Sequence, residues 1–178
     1  MSVLDRFRLT GKRLFITGGS RGLGREMALA VADAGADVTL VGRDMASLEA
    51  AAADIRALGR EACILPGDVA NPEECESICQ RALELQGGFD ILINNVGGRR
   101  IDIPTAEMPL DQWQSIINLN LTSTFLCTKL LGGAMVQRGT GGRVINIASI
   151  SGMVANRGIG GRSYETSKAA VIHFNYFF

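Results

Sequence analysis

Apolar runs of strand length alternate with longer segments of helical pattern from residue 13 to the end of the chain. Five of these runs predict strands, at residues 13–17 (RLFIT), 37–42 (DVTLVG), 62–67 (ACILPG), 89–95 (FDILINN) and 143–149 (RVINIAS). Because each run is almost continuously apolar, we expect both faces of the sheet to be buried. The alternation predicts a doubly wound α/β fold, a parallel sheet covered by helices on both faces.

The segments between these runs carry the patterns and end signals of helices. Helices are predicted from a glycine loop through Ala34, from Met45 to Leu58, from Asn71-Pro72 to Gln86, from Asp111 past Leu131, and from Ser163 onward. A length of 178 residues suits one domain, and the chain shows no linker or internal repeat. We therefore expect a single domain over residues 1–178.

Charge and composition narrow the classes of partner. Eighteen basic and eighteen acidic residues cancel, so no global field attracts nucleic acid or an anionic membrane. No uncharged apolar stretch approaches the ~18 residues that a membrane span requires, so we expect a cytoplasmic protein with no membrane contact. Cys75 and Cys79 share a helical face, but without further ligands they are interpreted as reduced core thiols, and no metal site is expected.

The segment TGGSRGLG, residues 17–24, lies between the first predicted strand and its helix. Glycines permit a tight turn there and let the backbone approach a pyrophosphate. The N–H groups of the following helix are then left to bind phosphate oxygens. An ordinary glycine-rich turn is the alternative, but the strand-loop-helix context favours dinucleotide binding.

The end of the second strand indicates which dinucleotide is bound. An acidic residue at this position accepts hydrogen bonds from the adenosine ribose, whereas an arginine favours a 2′-phosphate. The strand ends with Gly42 and Arg43, and Arg21 lies in the glycine loop, so the sequence favours NADP over NAD. Alternatively, Asp44 caps the next helix and leaves Arg43 as a surface residue.

Six short motifs occur in one order along the chain. They are TGGSRGLG (17–24), GDV (67–69), NNVG (94–97), NLNLTSTF (118–125), NIASISG (146–152) and YETSK (164–168). Together they resemble the classical short-chain dehydrogenase/reductase family, particularly its 3-oxoacyl-carrier-protein reductase-like members. The resemblance implies a Rossmann-type sheet and a homo-oligomer, either a tetramer or a dimer.

The resemblance also implies roles for particular residues. A catalytic set is implied at Asn120, Ser149, Tyr164 and Lys168. The dinucleotide is expected to contact Gly18, Ser20, Arg21, Gly22, Leu23, Gly24, Arg43, Asp68, Val69, Asn95 and Gly97, with Tyr164 and Lys168 at its nicotinamide end. Val96 stands where the family usually has alanine, a change that we expect to be tolerated.

The catalytic serine has two candidates. Ser151 precedes Tyr164 by 13 residues, a spacing common in the family, whereas Ser149 precedes it by 15. The local motif, with the serine three residues before glycine, matches Ser149. We favour Ser149, because a loop absorbs two extra residues more easily than a strand end shifts its register.

The expected reaction interconverts a carbonyl and a secondary alcohol. Charge that develops on the substrate oxygen requires a proton donor and a positioned hydrogen bond, which Tyr164 and Ser149 would supply. A separation of four residues places Lys168 on the helical face of Tyr164, where an ammonium favours the phenolate form. Ketones, 3-oxoacyl groups and keto-sugar acids are candidate substrates, the anionic ones because Arg157 and Arg162 are expected near the cleft.

The chain ends ten residues after Lys168. In the family, a sixth strand, a substrate-covering segment and a seventh strand follow. We therefore expect either part of a longer protein or a truncated form, and we favour the former. The alternative to an enzyme is a catalytically inactive dinucleotide-binding or interaction module.

Overall fold

A computed structural model of the chain describes residues 3–98, 101–154 and 162–175. Its five strands are Arg13–Thr17 (β1), Asp37–Gly42 (β2), Ala62–Pro66 (β3), Ile91–Asn94 (β4) and Arg143–Asn146 (β5). All neighbours pair in parallel, in the order β3-β2-β1-β4-β5. This arrangement confirms the predicted Rossmann-type fold, and β4 and β5 are shorter than the sequence pattern suggests.

The helices occupy the predicted segments. They are Gly22–Asp33 (α1), Met45–Ala57 (α2), Pro72–Gln86 (α3), a continuous helical run over residues 110–138 (α4), and Ser163–Phe174 (α5). Asn71 caps α3, since its Oδ1 accepts hydrogen bonds from the backbone N–H groups of Glu73 and Glu74. None of the helices in the described residues combines the length and hydrophobicity needed to cross a membrane.

Helix α4 is not a uniform α-helix. Two π-helical turns, Asn118–Thr122 and Thr128–Gly132, separate its α-helical segments Leu110–Ile117, Ser123–Cys127 and Gly133–Arg138. The hydrophobic periodicity of the sequence predicts the long helix but gives no sign of the wider turns. Such turns are frequent at functional sites, and the first one carries Asn120.

Hydrophobic side chains pack on both faces of the sheet. On one face, Phe15 and Leu92 pack with buried residues of α3 and α4. On the other face, Leu14, Ile16 and Ile93 pack with buried residues of α1 and α2. Neighbouring residues of one strand therefore enter different clusters, which confirms burial on both faces for the central strands.

Strand β5 departs from this prediction. Its residues alternate between exposed and half-buried, and the side chain of Ile145 is 44% exposed. Within the described residues β5 pairs with β4 alone. A cavity of about 470 Å³ adjoins the strand, lined in part by Met135, Val136 and Val144. Besides β4, little of the described chain packs against β5, so the expectation of burial on both faces is wrong for this strand.

The strand order creates a crevice at one end of the sheet. Strand β1 pairs with β2 on one side and with β4 on the other, so the direction of winding reverses after β3. In open α/β sheets, ligands bind at the carboxyl ends of the strands, where this reversal separates the neighbouring loops. The glycine loop after β1 and the loop after β4 border this crevice.

The substitution Leu92→Ala tests the contribution of the β4 core. Leu92 is fully buried, and removing its side chain leaves a cavity, so we expect the free energy of unfolding to fall by about 2–5 kcal/mol. Leu85 is 57% exposed on α3, and Leu85→Ala should change the free energy by less than about 0.5 kcal/mol. Urea denaturation measures both. Equal losses in the two variants would contradict this assignment of the core.

Candidate active site

A cavity of about 700 Å³ lies at the carboxyl ends of β1 to β4. The residues predicted from the sequence to contact the body of a dinucleotide all line it, namely Gly18, Ser20, Arg21, Gly22, Leu23, Gly24, Arg43, Asp68, Val69, Asn95 and Gly97. They come from four separate loops. The fold therefore brings these residues to one continuous surface.

At Gly18 and Gly24 the glycine loop approaches neighbouring atoms too closely for side chains. Gly18 has a φ of 66°, a left-handed conformation that favours glycine. A Cβ on Gly18 would lie 3.0 Å from Asn95 Nδ2. A Cβ on Gly24 would overlap the carbonyl oxygen of Gly18. The missing side chains thus allow α1 to start directly against the loop.

Asn95 joins the loop after β4 to the end of β1. Its Nδ2 donates hydrogen bonds to the carbonyl oxygens of Thr17 at 3.0 Å and Gly18 at 3.2 Å. The Oγ1 of Thr17 accepts from the backbone N–H groups of Asn95 and Val96. These four bonds link the two borders of the crevice directly.

Gly42 at the end of β2 lies close to two side chains. A Cβ on Gly42 would lie 3.3 Å from Ser20 Oγ and 3.4 Å from Leu48. A larger side chain at this position would therefore start in contact with both residues.

Arg43 and Asp44 follow Gly42 and have different partners. Asp44 caps α2, accepting hydrogen bonds from the backbone N–H of Ser47 and from its hydroxyl, as the alternative interpretation anticipated. These bonds, together with the charge of Arg21, lower the pKa of Asp44. Arg43 is 60% exposed, lines the cavity and lies 3.5 Å from Asp68 Oδ2.

Gly97 connects the cavity to the predicted catalytic residues. It lines the cavity, and a Cβ on Gly97 would lie 2.7 Å from Lys168 Nζ and 2.9 Å from Asn120 Oδ1. The absence of a side chain at Gly97 thus allows the ammonium and the amide to meet at the end of the crevice.

Asn120 is fully buried and holds the loop after β4 against α4. Its Nδ2 donates to the carbonyl oxygens of Gly98 at 3.1 Å and Ile116 at 3.0 Å. Its Oδ1 accepts from the backbone N–H of Gly98 at 2.9 Å. These three bonds use both amide donors and fix the orientation of the side chain.

Lys168 is a buried cation on α5, only 3% exposed. Its Nζ donates a hydrogen bond to the carbonyl oxygen of Ile147 at 2.7 Å. Burial disfavours the charged form and lowers the pKa of Lys168 from its ordinary value. One carbonyl leaves further N–H donors of the ammonium for other partners.

Tyr164 lies in the first turn of α5, half-buried, one turn before Lys168. The segment after β5 packs closely against this helix. A Cβ on Gly152 would lie 2.7 Å from the backbone nitrogen of Ala169.

The two candidate serines differ in exposure and hydrogen bonding. Ser149 is half-buried and accepts a hydrogen bond from the backbone N–H of Ser151 at 3.1 Å. That bond uses a lone pair of the Ser149 hydroxyl and not its proton, whereas Ser151 is buried.

Other residues line the cavity that the sequence did not single out as cofactor contacts. They are Val41, Gly42, Asp44, Ser47, Gly67, Ala70, Val96 and Leu119. Most of them are neighbours in sequence of predicted contacts, so their position at the ends of strands could have identified them. Leu119 had no such sequence signal apart from its position next to Asn120.

The two arginines expected near the substrate cleft are only partly described. Arg162 is exposed immediately before α5, and Arg157 lies outside the described residues.

Comparison with known proteins gives these features a context. The family model for short chain dehydrogenases matches residues 12–176. A 3-oxoacyl-[acyl-carrier-protein] reductase from Synechocystis sp. is 38% identical over 167 residues, covering 93% of this chain and 66% of the relative. The chain thus spans about two thirds of the length of that relative.

Solved structures agree with this comparison. A short-chain type dehydrogenase/reductase from Mycobacterium marinum superposes with a TM-score of 0.89 at 39% identity, covering 98% of this chain and 70% of that one. An NAD⁺-bound xylitol dehydrogenase gives a TM-score of 0.84 at 28% identity, covering 93% and 63%. Because the family model matches residues 12–176 and the fold is shared, this chain belongs to the short-chain dehydrogenase family.

Proposed function

We propose that this chain is the dinucleotide-binding domain of an NADP-dependent oxidoreductase that interconverts a carbonyl and a secondary alcohol. The observation that carries the proposal is at Gly97, which lines the 700 Å³ cavity and lies next to Lys168 and Asn120. A binding module needs the cavity alone. A buried ammonium at the cavity's end, one helical turn from a tyrosine, favours an enzyme.

The residues of the cavity fit a dinucleotide. In the proposal, backbone N–H groups of the glycine loop and the start of α1 bind the pyrophosphate, since Gly18, Gly22 and Gly24 carry no side chains that would block it. Asp68 and Val69 border the adenine, and Asn95 and Gly97 border the nicotinamide half. When bound, the dinucleotide supplies or accepts the hydride, which no amino-acid side chain can do.

The preference for NADP rests on two arginines. Arg21 and Arg43 line the same cavity, and Gly42 stands at the position where an acidic side chain would select NAD. A guanidinium binds a phosphate with two parallel hydrogen bonds, whereas an exposed carboxylate such as Asp68 binds Arg43 only weakly. The NAD⁺-bound xylitol dehydrogenase shows that the fold also accommodates NAD⁺, so cofactor choice depends on these side chains.

Tyr164 is proposed as the proton donor to the substrate oxygen in the reductive direction. When its hydroxyl gives up the proton, the buried positive charge of Lys168 stabilises the resulting phenolate. Ser149 has a hydroxyl proton available to hold the substrate oxygen beside that phenol. The orientation of the carbonyl is thereby set before any proton moves.

Lys168 and Asn120 are proposed to assist the proton transfer without donating the proton to the substrate. The bond to Ile147 anchors the ammonium while its other N–H donors remain for a proton relay. Asn120, held by Gly98 and Ile116, keeps the loop at Gly97 from shifting into the ammonium. We propose that Lys168 is the charge partner of Tyr164. We propose that Asn120 is a positioning residue that holds the loop after β4 next to Lys168.

The substrate class is proposed more broadly. The relatives named above include a 3-oxoacyl reductase and a xylitol dehydrogenase, whose substrates share only a carbonyl or secondary alcohol. We therefore propose ketones, 3-oxoacyl thioesters and keto-sugar acids as the compounds to test. A homo-oligomeric assembly, a dimer or a tetramer, is proposed with them.

The substitution Tyr164→Phe tests the mechanism. Removing the proton donor is expected to lower kcat for the best of these substrates by roughly 100-fold or more. The Kd for NADPH should change far less, because the aromatic ring expected at the nicotinamide end is retained. NADPH oxidation and fluorescence titration measure the two quantities. Thr166→Ala, an exposed change on the same helix, is the control and should leave both unchanged. Undiminished turnover in Tyr164→Phe would refute the mechanism.

The unaltered chain distinguishes an enzyme from a binding module. If it binds NADPH but turns over none of the substrates, the result would support the inactive binding module.

The two serines are distinguished by parallel substitutions. Ser149→Ala is expected to lower kcat/KM by roughly 10- to 100-fold, because a hydrogen bond to a developing charge contributes about 1.5–3 kcal/mol. Ser151→Ala should retain most of the activity. The opposite ranking in steady-state kinetics would assign the substrate contact to Ser151.

The choice of cofactor is tested at Arg43. Without the guanidinium, the Kd for NADPH should rise roughly 10- to 100-fold, since a hydrogen bond to a charged group contributes about 1.5–3 kcal/mol. The Kd for NADH should change far less in Arg43→Ala. Arg56 lies on the exposed side of α2, outside the cavity, so Arg56→Ala is the matched control. Equal weakening of both dinucleotides would contradict the role of Arg43 in recognising the 2′-phosphate.

A further inference from the structure

Three cysteine side chains meet between α3 and α4, away from the dinucleotide cavity. Cys75 and Cys79 lie one turn apart on α3, and Cys127 comes from α4. All three are fully buried, and their sulfur atoms lie within 4.8 Å of one another. The Sγ of Cys127 is 3.6 Å from that of Cys75 and 3.7 Å from that of Cys79.

Only the tertiary structure brings the third thiol to this group. The sequence places Cys75 and Cys79 on one helical face, and two thiols without a further ligand are ordinary core residues. Cys127 lies about fifty positions later and reaches them because α4 packs on α3. The interpretation of Cys75 and Cys79 as core thiols was therefore made without Cys127.

The spacing of the sulfur atoms matches a metal-thiolate site. With metal–sulfur bonds of about 2.3 Å, sulfur ligands in a tetrahedral arrangement lie about 3.8 Å apart. The two separations at Cys127 are 3.6 and 3.7 Å. A cation between the three sulfurs would reach all of them without moving the backbone of either helix.

Charge and ligand number narrow the class of ion. No fourth His, Cys, Asp or Glu joins the group among the described residues, and apolar side chains such as Ile78, Leu126 and Leu131 share its cluster. Three thiolates carry three negative charges, so a divalent ion leaves less uncompensated charge in this apolar region than a monovalent one. Thiolates select soft ions, and structural zinc sites almost always have four ligands.

We propose that Cys75, Cys79 and Cys127 form a buried three-thiolate site for a soft divalent d¹⁰ cation, with Cd²⁺ as its probe. On binding, each coordinating thiol releases its proton to solvent as the sulfur–metal bond forms. Because the sulfurs are fully buried, the ion enters only when α3 and α4 separate transiently, and loading is slow.

Cd²⁺ titration under a non-thiol reductant tests the site. The ultraviolet charge-transfer absorption of cadmium thiolate should grow to one Cd²⁺ per chain, and the Tm should rise with Cd²⁺ concentration. The matched control is Cys63→Ala, which removes the half-buried fourth cysteine on β3. This variant should bind as the unaltered chain does. Cys127→Ala should bind at least about tenfold more weakly, because even loss of an outer partner of a metal ligand costs about 10- to 100-fold.

The fold of each variant is measured without metal. Circular dichroism and the metal-free Tm show whether Cys127→Ala retains the native structure, and Cys127→Ser replaces it if the alanine variant does not fold. Retained Cd²⁺ binding in a folded Cys127 variant would refute the site. So would loss of binding in Cys63→Ala, or absorption that appears only when the chain is unfolded.

Discussion

The architecture of the site depends on one close backbone approach, that of the glycine loop after β1 to the loop after β4. Gly18 adopts a left-handed conformation, and a side chain on Gly24 would overlap its carbonyl oxygen. Asn95 then closes the approach with hydrogen bonds to the carbonyls of Thr17 and Gly18. Both borders of the cavity are thereby joined to the ends of adjacent, largely buried strands.

A second constraint of the same kind acts at the end of the cavity. Lys168 is buried, so its ammonium needs polar partners, and the carbonyl of Ile147 supplies one of them. The ammonium reaches this place only because Gly97 has no side chain. The unfavourable burial of this charge occurs where the proposed chemistry uses the ammonium. Groups with perturbed pKa values commonly cluster at functional sites for this reason.

The fold followed from the sequence because its signals are local. Strand periodicity, the cap at Asn71 and the glycine at the end of β1 depend on neighbouring residues, and the structure has the predicted elements in the predicted order. The errors lie where burial depends on distant neighbours. Strand β5 is predicted from an apolar run as β1 is, yet Ile145 is 44% exposed, because little of the described chain besides β4 packs against it. The π-helical turns of α4 likewise have no local signature.

The sequence by itself determined the parallel α/β fold, the family of the chain and most residues that line the cavity. It could do so because strand ends and glycine turns have sequence signals only a few residues long. The tertiary structure alone decided which distant groups touch. Lys168 and Asn120 converge at Gly97, and Cys127 joins Cys75 and Cys79, through the packing of helices separated by tens of residues. A single sequence does not encode such distances in any local pattern, since they arise from helices and strands packing together as whole elements.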